Sequence, residues 1–509
     1  MAPLPIILIL AVVAAADSLA APARGRTLGP AALTAVAILP HAALAAAAAF
    51  FGWTAQRRLE RPGPADLDGP SRAAGLCTWL ALAWHAAAVW GLGWLDQVRA
   101  VMGDPVLIDE VAACGPPLLV IVAGWAGMSG VQQRLREAEV LACLEDGQPV
   151  PPLLGRWAWV RLRVRQQLLM VLIAGATVLA WSEALERGVR WLILRASDAD
   201  SGTLGQIGAW MGTSRHAPAA LGAAQLLGLL AGIGLWPLIV RTLWQAKPLA
   251  EGPLRQRLDG LVRAPGARVG DVLAWDTAGT TANAAVVGVI PGLRYVFLSD
   301  RLLDGLSSDQ IAAVTAHEVS HLRRGHLPWT MVAVMALAGA AGALVDVTLR
   351  LIGPGPADAA GQLQTAASAA ALWGVGVPSA AVGAVLFGWV SRRFEWQADA
   401  DAVRAMAGQG QAPPTPEALR LAAGLFGSAL AGVARMHRMD PHRFMWRHGS
   451  IAQRIGRAAD LGAGKHSASI DGQPLALPGA LPIDRQVARI KLASAAVLVL
   501  GLAWSVLAP

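Results

Sequence analysis

Charged side chains are scarce in this sequence. They make up 15% of its 509 residues, where a soluble globular chain carries about a quarter. Apolar residues reach 55% and the mean hydropathy is +0.47. They collect in runs of about 20 residues, the length that crosses a bilayer. The shortage of charge therefore excludes an ordinary soluble enzyme and indicates a polytopic membrane protein. Cysteine is rarer still. Cys77, Cys114 and Cys143 lie far apart without CxxC spacing, which argues against a disulfide framework and against a thiolate-ligated metal. Lysine is sparse, so the net charge of +8 is nearly all arginine and lies between the apolar runs. That pattern reads as positive-inside topology and contact with anionic headgroups, not as nucleic-acid binding. No internal repeat is visible.

Nine stretches can span, near residues 4–21, 31–52, 75–95, 114–133, 168–186, 218–240, 327–349, 367–390 and 492–508. The small residues of "LAAPA" before Arg24 would suit a cleaved secretory signal. No basic stretch precedes them, which favours a retained helix. Arginines crowd the loops at 53–74 and 134–165, whereas the 96–112 loop carries Asp96, Asp104, Asp109 and Glu110 against Arg99. Alternation from there puts the N-terminus and residues 241–326 and 391–489 in the cytoplasm. The arginines of the 187–217 loop depart from the rule.

The chain divides into a multi-span region (1–245), a first peptidase-like part (246–326), a transmembrane hairpin (327–390), a second part (391–465), and a linker with a last helix (466–509). "GPGPADAAG", "GQGQAPPTP" and "GAGKHSASIDGQPLALPGALP" read as loops or linker. His41 and His85 fall within spans, where ionisable residues are functional candidates; packing or hydrogen bonding is the simpler role for both. Glu183 and Asp346 lie near span ends, within reach of the interface.

Chemistry gathers in "TAHEVSHLRRGH", Thr315 to His326. Ser307 and Gln310 fit a capping box, and no proline interrupts the helix it would open before Pro328. On that helix His317 and His321 stand one turn apart on one face, so both imidazoles reach one ion. Glu318 adjoins them, where it can hold a metal-activated water and take its proton as the water attacks a peptide carbonyl. Histidines that merely pack a helix give the same letters, so a third ligand is needed. A histidine six residues after the second would complete one known pattern, but that position is Leu327, and Arg324 replaces the glycine. His326 is one residue out of register and reads as a structural or interfacial histidine. "SRRFEWQADADAV" offers more. Glu395 and Asp399 share a helical face just after a span. Glu395 would complete a His, His, Glu set with one open position, and Asp399 could fix a ligand imidazole. Alone, such an acidic pair is usually just solvated. Its place on the same side of the membrane as HEVSH favours ligation.

Four ordered motifs, "NAAVVGVIPGLRYVFLSDRLLDGLS", "AVTAHEVSHLRRGH", "SRRFEWQADADAV" and "HGSIAQRI", make residues 250–460 resemble the integral-membrane zinc metalloproteases. These gluzincins include the CAAX prenyl endopeptidases and the HtpX-like heat-shock proteases. The resemblance implies one zinc ion per chain, held by His317, His321 and Glu395. It makes Glu318 the general base and puts Asp399 behind the ligands. It gives Asn283 and Ala284 the start of an edge strand that pairs with substrate, His448 the oxyanion and Arg454 the orientation of the site. The residues support the strand independently: "AAVVGV", Pro291-Gly292 and "YVFLS" read as a hairpin with a free edge. Asn283 alone would pass for a turn residue. The family usually has proline after the histidine of the fourth motif, where this sequence has Gly449.

The expected architecture is mostly α, with about nine transmembrane helices and a cytoplasmic zinc peptidase domain containing a small β-hairpin. Asp309, Gln310, Arg323 and Arg324 flank the motif, so its chemistry lies near water at the bilayer surface. The leading function is an endopeptidase of a bacterial inner membrane, acting on membrane-associated or misfolded membrane proteins. A prenyl-protein processing protease ranks below it, because arginine-rich composition suggests a GC-rich bacterial source. A signalling receptor or sensor with a protease domain stays open, since the first six spans have no assigned role. A transporter should show related halves, and none is visible. Substrate identity, oligomeric state and any regulator are not legible here.

Overall fold

The computed structural model describes residues 4–18, 29–61, 68–145, 150, 152–196, 202–263, 266–352, 372–408, 414–465 and 481–507. The three Gly/Pro-rich loops and the "LAAPA" stretch lie wholly or mostly outside these. The chain forms two compact units, Met1–Ala246 with Asp276–Ala278, and Lys247–Trp275 with Gly279–Pro509.

The first unit is helical: α1 (Leu4–Ser18), α2 (Pro30–Leu59), α3 (Asp68–Leu92), α4 (Trp94–Met102), α5 (Ile108–Glu145), α6 (Arg156–Arg163), α7 (Leu169–Arg195), α8 (Gly202–Thr213) and α9 (Ala217–Leu243). Ile9, Val13, Leu33, Ala88, Cys114 and Trp125 pack its core. The acidic residues of the 96–112 stretch are not all a solvated loop. Asp109 and Glu110 are buried, each bonded to Arg99 at 2.6 Å. Burial leaves a carboxylate no water, so it needs such a partner. Glu183 is likewise buried, accepting from the Leu107 amide at 3.1 Å. His41 contacts the carbonyls of Ala37 and Ala81, while neither ring nitrogen of His85 has a hydrogen-bond partner among the described residues.

The second unit begins with β1 (Lys247–Pro248), α10 (Pro253–Val262), β2 (Asp271–Trp275), β3 (Ala284–Val287) and β4 (Tyr295–Ser299). There follow α11 (Asp300–Gly305), α12 (Ser308–Arg323), α13 (His326–Ile352), α14 (Val377–Gly408), α15 (Pro416–Met436), α16 (Ile451–Gly462) and α17 (Pro482–Leu507). The sheet order is β1-β2-β4-β3, with β2 and β4 parallel and the other pairs antiparallel. All five residues of β4 are buried, as befits a central strand. The expected hairpin is β3 with β4, and β3 is an edge. The strand β2, "DVLAW", was not foreseen, because its partner lies beyond β3 in the chain.

Nine helices among the described residues are long and apolar enough to cross a membrane. Eight coincide with the expected spans. The first expected span is described only as the 15-residue α1, shorter than a crossing. The ninth is α15, and half of its most apolar window is buried. It packs on α12 and α16 and puts Phe426 in the core with Ala313, Val403 and Ile451. Arg420, Ser428 and Arg435 occupy its exposed side, so α15 is an amphipathic helix that turns its apolar stripe to the core of this unit. Asp346, half-buried, accepts from Arg350 and from Trp504 of α17.

Candidate metal centre

The helix α12 starts where its capping box predicts. Gln310 N–H donates to Ser307 Oγ at 3.3 Å, and Ser307 N–H to Gln310 Oε1 at 3.1 Å. Ile311, Ala312, Ala316 and Val319 bury one side of the helix and turn His317 and His321 toward α14. The two Nε2 atoms stand 3.2 Å apart. Glu395 on α14 brings Oε2 to 3.5 Å from His317 Nε2 and Oε1 to 3.7 Å from His321 Nε2. One donor atom from each residue lies within 4.8 Å of the others. A tetrahedral zinc with bonds of 2.0–2.1 Å needs donors about 3.3 Å apart. Spacing, donor chemistry and burial therefore fit such an ion.

Asp399, one turn beyond Glu395, sets Oδ1 2.9 Å from His317 Nδ1, close enough for an ion pair though off the line of a hydrogen bond. Arg454 holds both oxygens of Asp399, at 2.6 and 2.9 Å, and lies 3.6 Å from Glu395. A second capping box, Ser450 with Gln453, starts α16 and places Arg454 in its first turn. Just before it, His448 sets Nδ1 3.0 Å from Glu395 Oε1. Gly449 has φ +77° and pairs with Met445 through two backbone bonds. Proline, fixed near −65°, cannot take that conformation. The departure from the family pattern is thus a different local backbone.

Glu318 is half-buried on the cleft floor and accepts from the backbone N–H of Val286 on β3. Ser299 N–H donates to Asn283 carbonyl at 3.0 Å. Alternation along an antiparallel ladder then turns the backbone groups of Ala284 and Val286 to the free edge. Asn283, Ala284, Glu318 and His448 all line one cleft of 530 Å3. Burial raises the Glu318 carboxyl, with His317 opposing and Glu395 adding, to about 7.

His326, read as a structural or interfacial histidine, packs behind the metal centre. Arg324 and Gly325, the latter at φ +63°, are the only residues between α12 and α13. The turn folds His326 back, so that its Nδ1 lies 2.9 Å from His321 Nδ1 and its Nε2 2.9 Å from Gln397 Oε1. Gln397 Nε2 donates to Asp484 of α17 at 2.6 Å. These bonds fix each proton in turn. The carboxylate takes the amide N–H, so Gln397 Oε1 accepts from His326 Nε2–H, and His326 Nδ1 accepts from His321 Nδ1–H. His321 is left with its lone pair on Nε2, facing Glu395. Only an unusual spacing, a histidine just after an Arg-Gly turn, hinted at this in the sequence.

Residues 248–460 match the model of Peptidase family M48. The match covers almost the same stretch as the four motifs. The crystal structure of S. mikatae Ste24p is similar at a TM-score of 0.41 and 14% identity, over 84% of this chain and 98% of that one. No curated protein matches.

Proposed function

We propose that this chain is a zinc-dependent membrane endopeptidase that cleaves membrane-associated or misfolded membrane proteins near the cytoplasmic bilayer surface. The observation that carries the reading is the meeting of His317, His321 and Glu395 from two helices, beside Glu318 and a free strand edge. Zinc held by the three donors would supply positive charge to a water and to the scissile carbonyl. The protein does the rest. The outward backbone groups of Ala284 and the outward carbonyl of Val286 pair with an extended peptide and lay it across the cleft. Glu318, poised near neutrality, takes the proton of the attacking water and returns it to the leaving amine. His448 at the cleft rim donates to the carbonyl oxygen as negative charge builds there. Arg454 and Asp399 hold His317, and the Asp484–Gln397–His326 series holds His321.

Substrate class follows from position. α12 passes through two residues into the apolar α13, and α14 leaves its apolar stretch at Arg392 and Arg393, just before Glu395. Chains anchored in or drawn from the bilayer come nearest. The loop arginines support the cytoplasmic side, and the arginine-rich composition a bacterial inner membrane. The test compares wild type with Glu318→Gln, purified in detergent, for bound zinc and for cleavage of an unfolded membrane substrate. Both should hold near-stoichiometric zinc and only the wild type should turn over. Equal cleavage by the two would remove Glu318 from the mechanism, and a wild type without zinc would end the assignment.

A further inference from the structure

A second cavity, of 430 Å3, lies between α14, α16 and the start of α17. Its charge is one-sided. Arg457 from α16 and Arg485 and Arg489 from α17 line it, with Trp396 and Asp399 of α14. Asp399 is the single carboxylate on its wall, and Arg454 already takes both its oxygens. The guanidinium of Arg457 lies 3.6 Å over the Trp396 ring, a contact that offers no hydrogen-bond acceptor. Nearby Asp460 is paired with Lys465 at 3.2 Å. Arg485 and Arg489 are exposed and have no counter-ion among the described residues.

Position says what such a cavity would meet. The apolar run of α17 begins at Leu492, just past Arg489 and Lys491, and α14 leaves its own apolar stretch at Arg392 and Arg393, one turn before Trp396. The cavity therefore lies where two spans reach the headgroup layer. Scattered arginines at that depth would only mark the cytoplasmic side. Here three guanidiniums from two helices converge on one concavity, the arrangement that takes a phosphate through paired N–H groups. Leu461 and Ile483 add an apolar wall for what the phosphate is attached to.

We propose that the cavity between Arg457, Arg485 and Arg489 binds the phosphate headgroup of an anionic lipid. The occupant shares a wall with the metal centre, because Asp399 lines the cavity and also faces His317. Binding needs neither zinc nor turnover, so the proposal stands or falls apart from the peptidase reading.

The test uses the full chain carrying Glu318→Gln in mixed micelles. Retained lipid is counted by native mass spectrometry and the thermal midpoint is followed with phosphatidylglycerol, phosphatidylcholine or inorganic phosphate added. Phosphatidylglycerol should be retained at one per chain and should raise the midpoint. The double variant Arg485→Gln/Arg489→Gln should weaken retention about thirtyfold, and Arg485→Lys/Arg489→Lys, which keeps the charge but loses the paired N–H groups, should fall between it and the wild type. Equal retention by wild type and the Gln variant, or equal retention of phosphatidylcholine and phosphatidylglycerol, would overturn the proposal. Inorganic phosphate protecting as well as phosphatidylglycerol would show a free-anion site and would also overturn it. If the Gln variant does not fold, the wild-type comparison of the two lipids decides.

Discussion

Nδ1 of His326 lies 2.9 Å from Nδ1 of His321, behind the face that His321 turns to Glu395. Two such nitrogens in contact require one proton between them. The donor–acceptor order running from Asp484 places that proton on His321. A residue of α17 thereby sets which nitrogen of His321 can ligate. Replacing Gln397 with Leu should break the order and weaken zinc binding about 10–100-fold. Competition with a chelator of known affinity measures it, and unchanged affinity would reduce Asp484, Gln397 and His326 to packing.

Metal uptake should release a proton. Burial alone would keep His317 neutral, but Asp399 and Glu395 outweigh it and push the imidazole up to about 10. His321, buried and facing that charge, is pushed down to about 3 and is already neutral. Zinc needs neutral imidazoles. From neutral pH up to about 10, apparent affinity should rise about tenfold per pH unit, with about one proton released, and level off above that. Calorimetric titration in two buffers of unlike ionisation enthalpy tests this; identical heats would contradict it.

The strand edge gives a prediction that separates substrate docking from metal binding. Ala284→Pro removes an outward N–H from β3 without touching the donors. Cleavage should fall at least about tenfold through loss of backbone pairing, while zinc content stays near one per chain. A variant that loses its zinc as well would show that β3 supports the metal centre itself.

Arg454 is buried against two carboxylates. Arg454→Met leaves Asp399 and Glu395 without it, and an uncompensated buried charge costs about 3–5 kcal/mol. The thermal midpoint of the metal-free protein should drop accordingly. A midpoint within a degree of wild type would mean water reaches Asp399.

Restoring the family's usual proline should harm this protein. Gly449→Pro cannot adopt φ +77°, so His448 should lose its place and turnover should fall about 10²–10³-fold. Gly449→Ala should cost about 1–2 kcal/mol and keep part of the activity. Full activity in the proline variant would show that His448 does not depend on this turn.

Much of the site was legible because its signals are local. A capping box, two histidines one turn apart and two carboxylates four apart each need only helical periodicity, and the order of four motifs supplied the rest. The edge strand was readable from its turn. The parts that escaped depend on contacts distant in sequence. β2 pairs with a strand beyond β3, and parallel pairing leaves no turn to read. His326 looked out of register because a left-handed Gly325 folds it back. Asp484 sat in what read as a linker and a last span.

Two residues, Arg324 and Gly325, join the helix that carries both imidazoles to one that enters the bilayer. So short a joint has no slack to absorb motion. A tilt adopted by α13 to match a thicker or thinner hydrocarbon layer passes directly to His317 and His321, while α14 carries its own tilt to Glu395. A difference between the two tilts would change the distance between the donors.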